Sequence, residues 1–164
     1  MNTGEKLRLA VQLENLGGDI LEAGFPAASE GDFEAVSAIA GRLKNIEVAA
    51  LARTSKDDID RAWQAIQHAV KPRLHIFIAT SDIHLEYKLR MNREEVIQSA
   101  VDAITYARTL TDNIEFSAED GSRSDQDYLC KVFEAAIEAG AGTVNLPDTV
   151  GYAVPDEFAD LITY

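Results

Sequence analysis

Short apolar runs alternate with amphipathic stretches of helical period along all 164 residues, recurring every roughly 25 to 40 residues. Nothing else in the chain limits its fold as much: helix, strand, helix, strand is the order of parallel βα units. The runs that read as strands are residues 19–24 (DILEAG), 47–52 (EVAALA), 73–78 (RLHIFI), 113–117 (NIEFS) and 143–146 (TVNL). Each is short and rich in apolar side chains, as a strand covered on both faces must be.

Boundary residues support this division. Ser55 precedes a helical stretch with Asp58 three residues on, and Asn92 precedes another with Glu95 at the same spacing, so both can satisfy free N–H groups of a first turn. Gly17, Gly18 and Gly140 follow helical stretches where a left-handed residue is wanted. A further helix is expected over residues 32–43, and Pro155 suits the first turn of a last one. No linker or low-complexity tract interrupts the array, and 46% hydrophobic content is enough for one sizeable core. We therefore expect residues 1–164 to form a single domain.

Five parallel strands fit either an open doubly wound sheet or part of a closed (β/α) barrel. The open sheet usually carries a Gly-rich phosphate turn after its first strand, and EAGFPAASEGDF has neither G-x-G-x-x-G nor a P-loop pattern. The expected fold is thus α/β, a partial TIM barrel. In a barrel one face of each strand points inward, and the strand C-termini build the site. Alternation puts Glu22, Arg53, His75, Glu115, Ser117, Glu119 and Asn145 on that inward face, with Asn145 leading on to Thr149 through NLPDT. Leu21, Ile76, Phe116, Val144 and Leu146 take the other face, which suits a helical layer. From pattern alone Glu22, Glu115 and Arg53 read equally as ion-pair partners or as pocket residues, and a single strand histidine such as His75 reads more readily as a hydrogen-bonded core residue than as a base or ligand. His68 and His84 read as ordinary surface residues, and Asp120, Arg123 and Asp125 as residues that shape a loop and start a helix. No Ser/His/Asp order or Cys/His zinc spacing stands out.

Charge and cysteine usage narrow the partners. With 28 acidic residues against 15 basic the formal charge is -13, which disfavours nucleic acid and anionic membranes. Cys130, the only cysteine, falls among apolar positions and reads as a core thiol in a reducing cytosol. No segment reads as a signal peptide or reaches the ~20 apolar residues of a membrane span, so a cytoplasmic location is expected.

Four strings, DILEAGFPAASEGDFEAV, HIFIATSDIHLEYKLRMNREEVI, IEFSAEDGSRSD and NLPDTVGYAVPDEF, occur in order and nearly end to end. Together they resemble the 2-isopropylmalate synthase family, within the wider group of acyl-CoA-dependent Claisen enzymes that includes homocitrate and citramalate synthases. The resemblance implies condensation of acetyl-CoA with 2-oxoisovalerate, giving 2-isopropylmalate and CoA on the route to leucine. It also implies a homodimer and a divalent metal, Mg2+ or Mn2+ with Zn2+ possible, that polarises the oxo acid. By motif, His75, Ser117, Asn145 and Thr149 match the oxo-acid side of the pocket. Glu119 matches a residue that transfers a proton or orients the base, and Glu22 and Arg53 match the pocket floor as a charge pair.

The sequence departs from that family in lacking its RDG strand end and its H-x-H pair, where the metal ligands lie, and its regulatory C-terminal domain. The metal ligands are therefore expected outside this chain, which reads as roughly strands two to six of eight. Two readings stay open: part of an active synthase, or a non-catalytic fragment or assembly module.

Overall fold

A computed structural model describes residues 1–164. The elements run α1 (Thr3–Asn15), β1 (Ile20–Gly24), α2 (Glu30–Arg42), β2 (Glu47–Arg53), α3 (Lys56–Ile66), β3 (Pro72–Ala79), α4 (Asp82–His84), a π-helical turn (Leu85–Leu89), α5 (Arg93–Ala107), β4 (Ile114–Glu119), a 3-10 turn (Gly121–Arg123), α6 (Gln126–Ala139), β5 (Thr143–Asn145) and α7 (Pro155–Thr163). All five strands expected from the apolar runs are present, with ends shifted by one or two residues.

The helix ends show why these segments start and stop where they do. Asn92 and Glu95 form a reciprocal capping box at α5, and Asn2 and Glu5 form a second at α1. At α3 the Ser55 hydroxyl accepts from the Asp58 N–H, but the Asp58 carboxylate turns instead to Arg53. Asp125 caps α6, which ends at Gly140 with φ +111, a conformation that costs any residue with a Cβ. Pro155 opens α7, where its missing N–H has no helical partner to lose.

The strands pair in parallel in the order β1-β2-β3-β4-β5. This order separates the two candidate folds, because a doubly wound sheet reverses direction once whereas a barrel adds each strand beside the last. With right-handed crossovers throughout, every helix falls on one side of the sheet. The core lies between that side and the helices. Val48, Ala50, Ala52, Leu74, Ile76, Ile78, Ile114, Phe116 and Ala118 point into it and are at most 5% exposed. The architecture is α/β and matches a partial TIM barrel, with β1 and β5 as its edges.

Two expectations fail. Cys130 is exposed rather than a core thiol, and it lines an apolar groove with Phe133, Val144, Leu146 and Leu161. Its neighbours Leu129 and Val132 are buried, but Cys130 falls on the flank of α6, beside the edge strand β5. His84, expected at the free surface, is half-buried against Asp120. No helix is long and apolar enough to cross a membrane.

Candidate functional site

The face of the sheet away from the helices carries three tiers of polar side chains, set by strand register. At the bottom, Arg73 binds Glu47 at 2.9 Å and Glu115 at 3.1 Å and reaches Thr143 at 3.3 Å. Arg73 is 9% exposed, and its two carboxylates compensate a cation that would otherwise be buried alone. Sequence reasoning passed over this residue, although a lone Arg at the head of an otherwise apolar strand was the clue available.

The middle tier unites four of the residues expected at the site. His75 Nδ1 meets a Glu22 carboxylate oxygen, His75 Nε2 lies 2.6 Å from Ser117 Oγ, and Asn145 Nδ2 donates to that same Oγ at 2.8 Å. A carboxylate only accepts, so Nδ1 donates to Glu22; with the imidazole neutral, Nε2 accepts from the serine hydroxyl, whose lone pair takes the amide N–H. Four side chains from β1, β3, β4 and β5 form one directional chain across the sheet. His75 and Ser117 are buried, while Glu22, on the edge strand, stays open to solvent.

The upper tier surrounds a cavity of about 410 Å³ lined by Arg53, Phe77, Leu89, Lys88 and Glu119 among others. Both carboxylate oxygens of Glu119 accept from Lys88 Nζ at 2.7 Å. The expected Glu22–Arg53 pair does not form: Arg53 is bidentate to Asp58 at 2.6 and 3.1 Å. Asp58 sits on the first turn of α3, five residues further on, so the local partner is met before the one across the sheet. Burial pushes the Asp58 carboxyl up, but the Arg53 guanidinium outweighs it and holds the group below the usual Asp range.

Thr149 stands apart from the His75 chain. It is exposed, and its hydroxyl accepts from the Asp120 N–H at 2.8 Å. Asp120 is fully buried and left-handed at φ 64, and it gathers Ser81, His84 at 3.0 Å and Arg123 at 2.7 and 2.8 Å onto its carboxylate. Burial raises this carboxyl, and the hydrogen bonds from Arg123 and Ser81 more than reverse it, so it too lies low. Asp120 thus ties together the segments after β3, β4 and β5, more than the loop-shaping role read from its sequence.

The donors present do not fit a metal ion. No three His, Cys, Asp or Glu side chains converge on a point, and both His75 nitrogens are already engaged.

The chain is 62% identical over 162 residues to a 2-isopropylmalate synthase of Pelotomaculum thermopropionicum, covering 99% of this chain and 32% of that protein. It is 59% identical over 164 residues to the enzyme of that name from Nitratidesulfovibrio vulgaris, covering 100% and 32%, and 58% identical over 163 residues to 2-isopropylmalate synthase 1 of Caldanaerobacter subterraneus, covering 99% and 41%. The chain thus spans about a third of the length of the curated relatives it matches. The sequence profile of the HMGL-like family matches residues 1–164, every tier of the polar face included, and the chain belongs to that family.

Proposed function

We propose that this chain supplies the substrate-facing middle of a 2-isopropylmalate synthase barrel, which condenses acetyl-CoA with 2-oxoisovalerate to give 2-isopropylmalate and CoA. One observation carries the reading: identity of 54 to 62% across nearly the whole chain to proteins of that name from many bacteria. The polar face supports it chemically. A small oxo acid needs fixed hydrogen-bonding groups beside its carbonyl and carboxylate, and the chain Glu22–His75–Ser117–Asn145 holds three such groups rigid through its own bonds. Thr149, exposed and bonded to the Asp120 N–H, is carried as a further oxo-acid contact by the motif alone.

Glu119 is the residue we assign to the acetyl methyl proton, because its carboxylate faces a cavity and no strand neighbour binds it. The C–H bond breaks, the proton passes to the carboxylate, and the electron pair remains on the enolate, whose attack on the oxo-acid carbonyl forms the C–C bond and an alkoxide that takes up a proton; water then cleaves the thioester C–S bond, giving the product carboxylate and CoA. Arg53, held by Asp58, borders the same cavity. A divalent metal, Mg2+, Mn2+ or Zn2+, would polarise that carbonyl in the complete barrel. The residues here do not form its site. The full protein is read as a cytoplasmic homodimer, and the 164-residue chain alone as inactive for want of metal ligands.

The test is a chimera in which this chain replaces the aligned 162 residues of the P. thermopropionicum protein. Thiol release from acetyl-CoA should then depend on 2-oxoisovalerate and a divalent metal. A folded chimera that prefers pyruvate or 2-oxoglutarate points to the citramalate or homocitrate branch. One that releases no thiol with any oxo acid overturns the reading.

A further inference from the structure

Every charged group on the inward face has its partner on a strand or on the helix after it, with one exception. Glu47 and Glu115 are held by Arg73 of β3, Glu22 by His75 of β3, and Arg53 by Asp58 of α3. Glu119 alone is held from an irregular segment: Lys88 lies within the π-helical turn Leu85–Leu89. Such turns are rare and are found frequently at functional sites. This one is fixed at both ends. Leu85 is buried and Leu89 packs on the core, while Arg90 closes the turn in the left-handed region at φ 56. A non-glycine residue is seldom found there without a reason.

The turn decides where Lys88 points. Each residue of an α-helix turns through about 100°, so the same segment wound as α-helix would set the Lys88 stem in a different direction from Glu119. The other cation at the cavity, Arg53, is committed to Asp58 by two hydrogen bonds and makes none to Glu119. Lys88 meanwhile binds both oxygens of Glu119, which fixes the orientation of the carboxylate as well as its position.

We infer that Lys88 is a positioning residue for Glu119: the π-helical turn delivers its ammonium to aim the carboxylate into the cavity for proton transfer. This rests on the proton-transfer role proposed above for Glu119. Acting through Glu119, Lys88 affects the orientation of the reacting carboxylate, so its loss is expected to lower the rate of the chemical step more than substrate affinity.

The experiment uses the chimeric synthase, with both substrates varied. Lys88→Met should lower kcat roughly tenfold or more, the scale expected when a reacting group is misplaced by a fraction of an ångström, and shift each KM by less than about threefold. Lys88→Arg should recover part of the loss, and added methylamine or ethylamine should restore kcat in Lys88→Ala. Glu119→Gln, assayed alongside, separates the two claims. If Glu119→Gln is inactive while Lys88→Met retains full kcat, the positioning role is overturned and the proton-transfer reading stands. If Glu119→Gln keeps full activity, both fall. A loss in Lys88→Met that neither arginine nor any amine repairs, or that appears as a lower melting temperature with normal kcat, shows a structural lysine and also overturns the inference.

Discussion

The two faces of the sheet are made by the same strands and obey opposite rules. On the helix side, Leu74, Ile76, Ile114 and Phe116 are fully enclosed by carbon, and what matters is volume. On the other side, Arg73, His75, Glu115 and Ser117 alternate with them along β3 and β4, and what matters is that each polar atom finds a partner. The contrast shows how a barrel separates its tasks: one face supplies the burial that stabilises the fold, so the other can hold groups that contribute little to stability but present fixed chemistry.

Adjacent residues on β4 give the sharpest way to break that comparison. Phe116 is fully buried and meets Phe133 edge-on at 6.4 Å, so Phe116→Ala should cost about 3–5 kcal/mol of stability in urea unfolding of the chain. Ser117→Ala, one residue on and on the opposite face, should cost about 1 kcal/mol through the bonds lost to His75 and Asn145, yet reduce turnover of the chimera with 2-oxoisovalerate. Equal stability losses would mean the division of tasks is wrong.

The bottom tier tests whether the polar face contributes to folding at all. Arg73→Met leaves Glu47 and Glu115 facing each other without their cation. Breaking a fully buried pair costs about 3–5 kcal/mol, and because both carboxylates keep some solvent contact a loss nearer ~2 kcal/mol is expected in the same unfolding measurement. A variant as stable as the parent would make this tier an adornment of the sheet.

The smallest effect concerns acid. Asp58 and Asp120 both have carboxyls lowered in the folded chain, so each stabilises it above the unfolded Asp value of about 3.9. That contribution is intact at neutral pH, declines as pH approaches about 4, and is lost once pH has fallen through the lowered folded values. Thermal melting from pH 7 to 3 should therefore show a steepening fall at the acid end, and Asp120→Asn should make that fall shallower.

Much of this was legible from local pattern. The apolar runs marked β1 to β5, Asn92 and Glu95 marked the start of α5, Gly140 marked the end of α6, and period-two alternation assigned Glu22, His75, Ser117 and Asn145 to one face. These features depend on residues within a few positions of one another. The π-helical turn was not legible, because LEYKL carries no propensity that distinguishes it from an ordinary helical turn. Cys130 was misread because its neighbours Leu129 and Val132 are indeed buried, whereas the helical turn places Cys130 itself on the flank beside β5.

By itself, then, the sequence determined the order of βα units, their caps and the sidedness of every strand, since these follow from φ/ψ preference and a repeat of two or 3.6 residues. Tertiary structure alone decided the partnerships. Glu22 meets His75 rather than Arg53, Arg73 divides itself between two carboxylates, and Lys88 reaches from the π-helical turn to Glu119. Which charge meets which depends on the register between neighbouring strands, including the irregularity between Glu22 and Gly24 against β2, and on the turns that deliver side chains from outside the sheet. Register is set by the packing of all the strands and helices together, so a pattern read along one strand contains the faces but not the pairs.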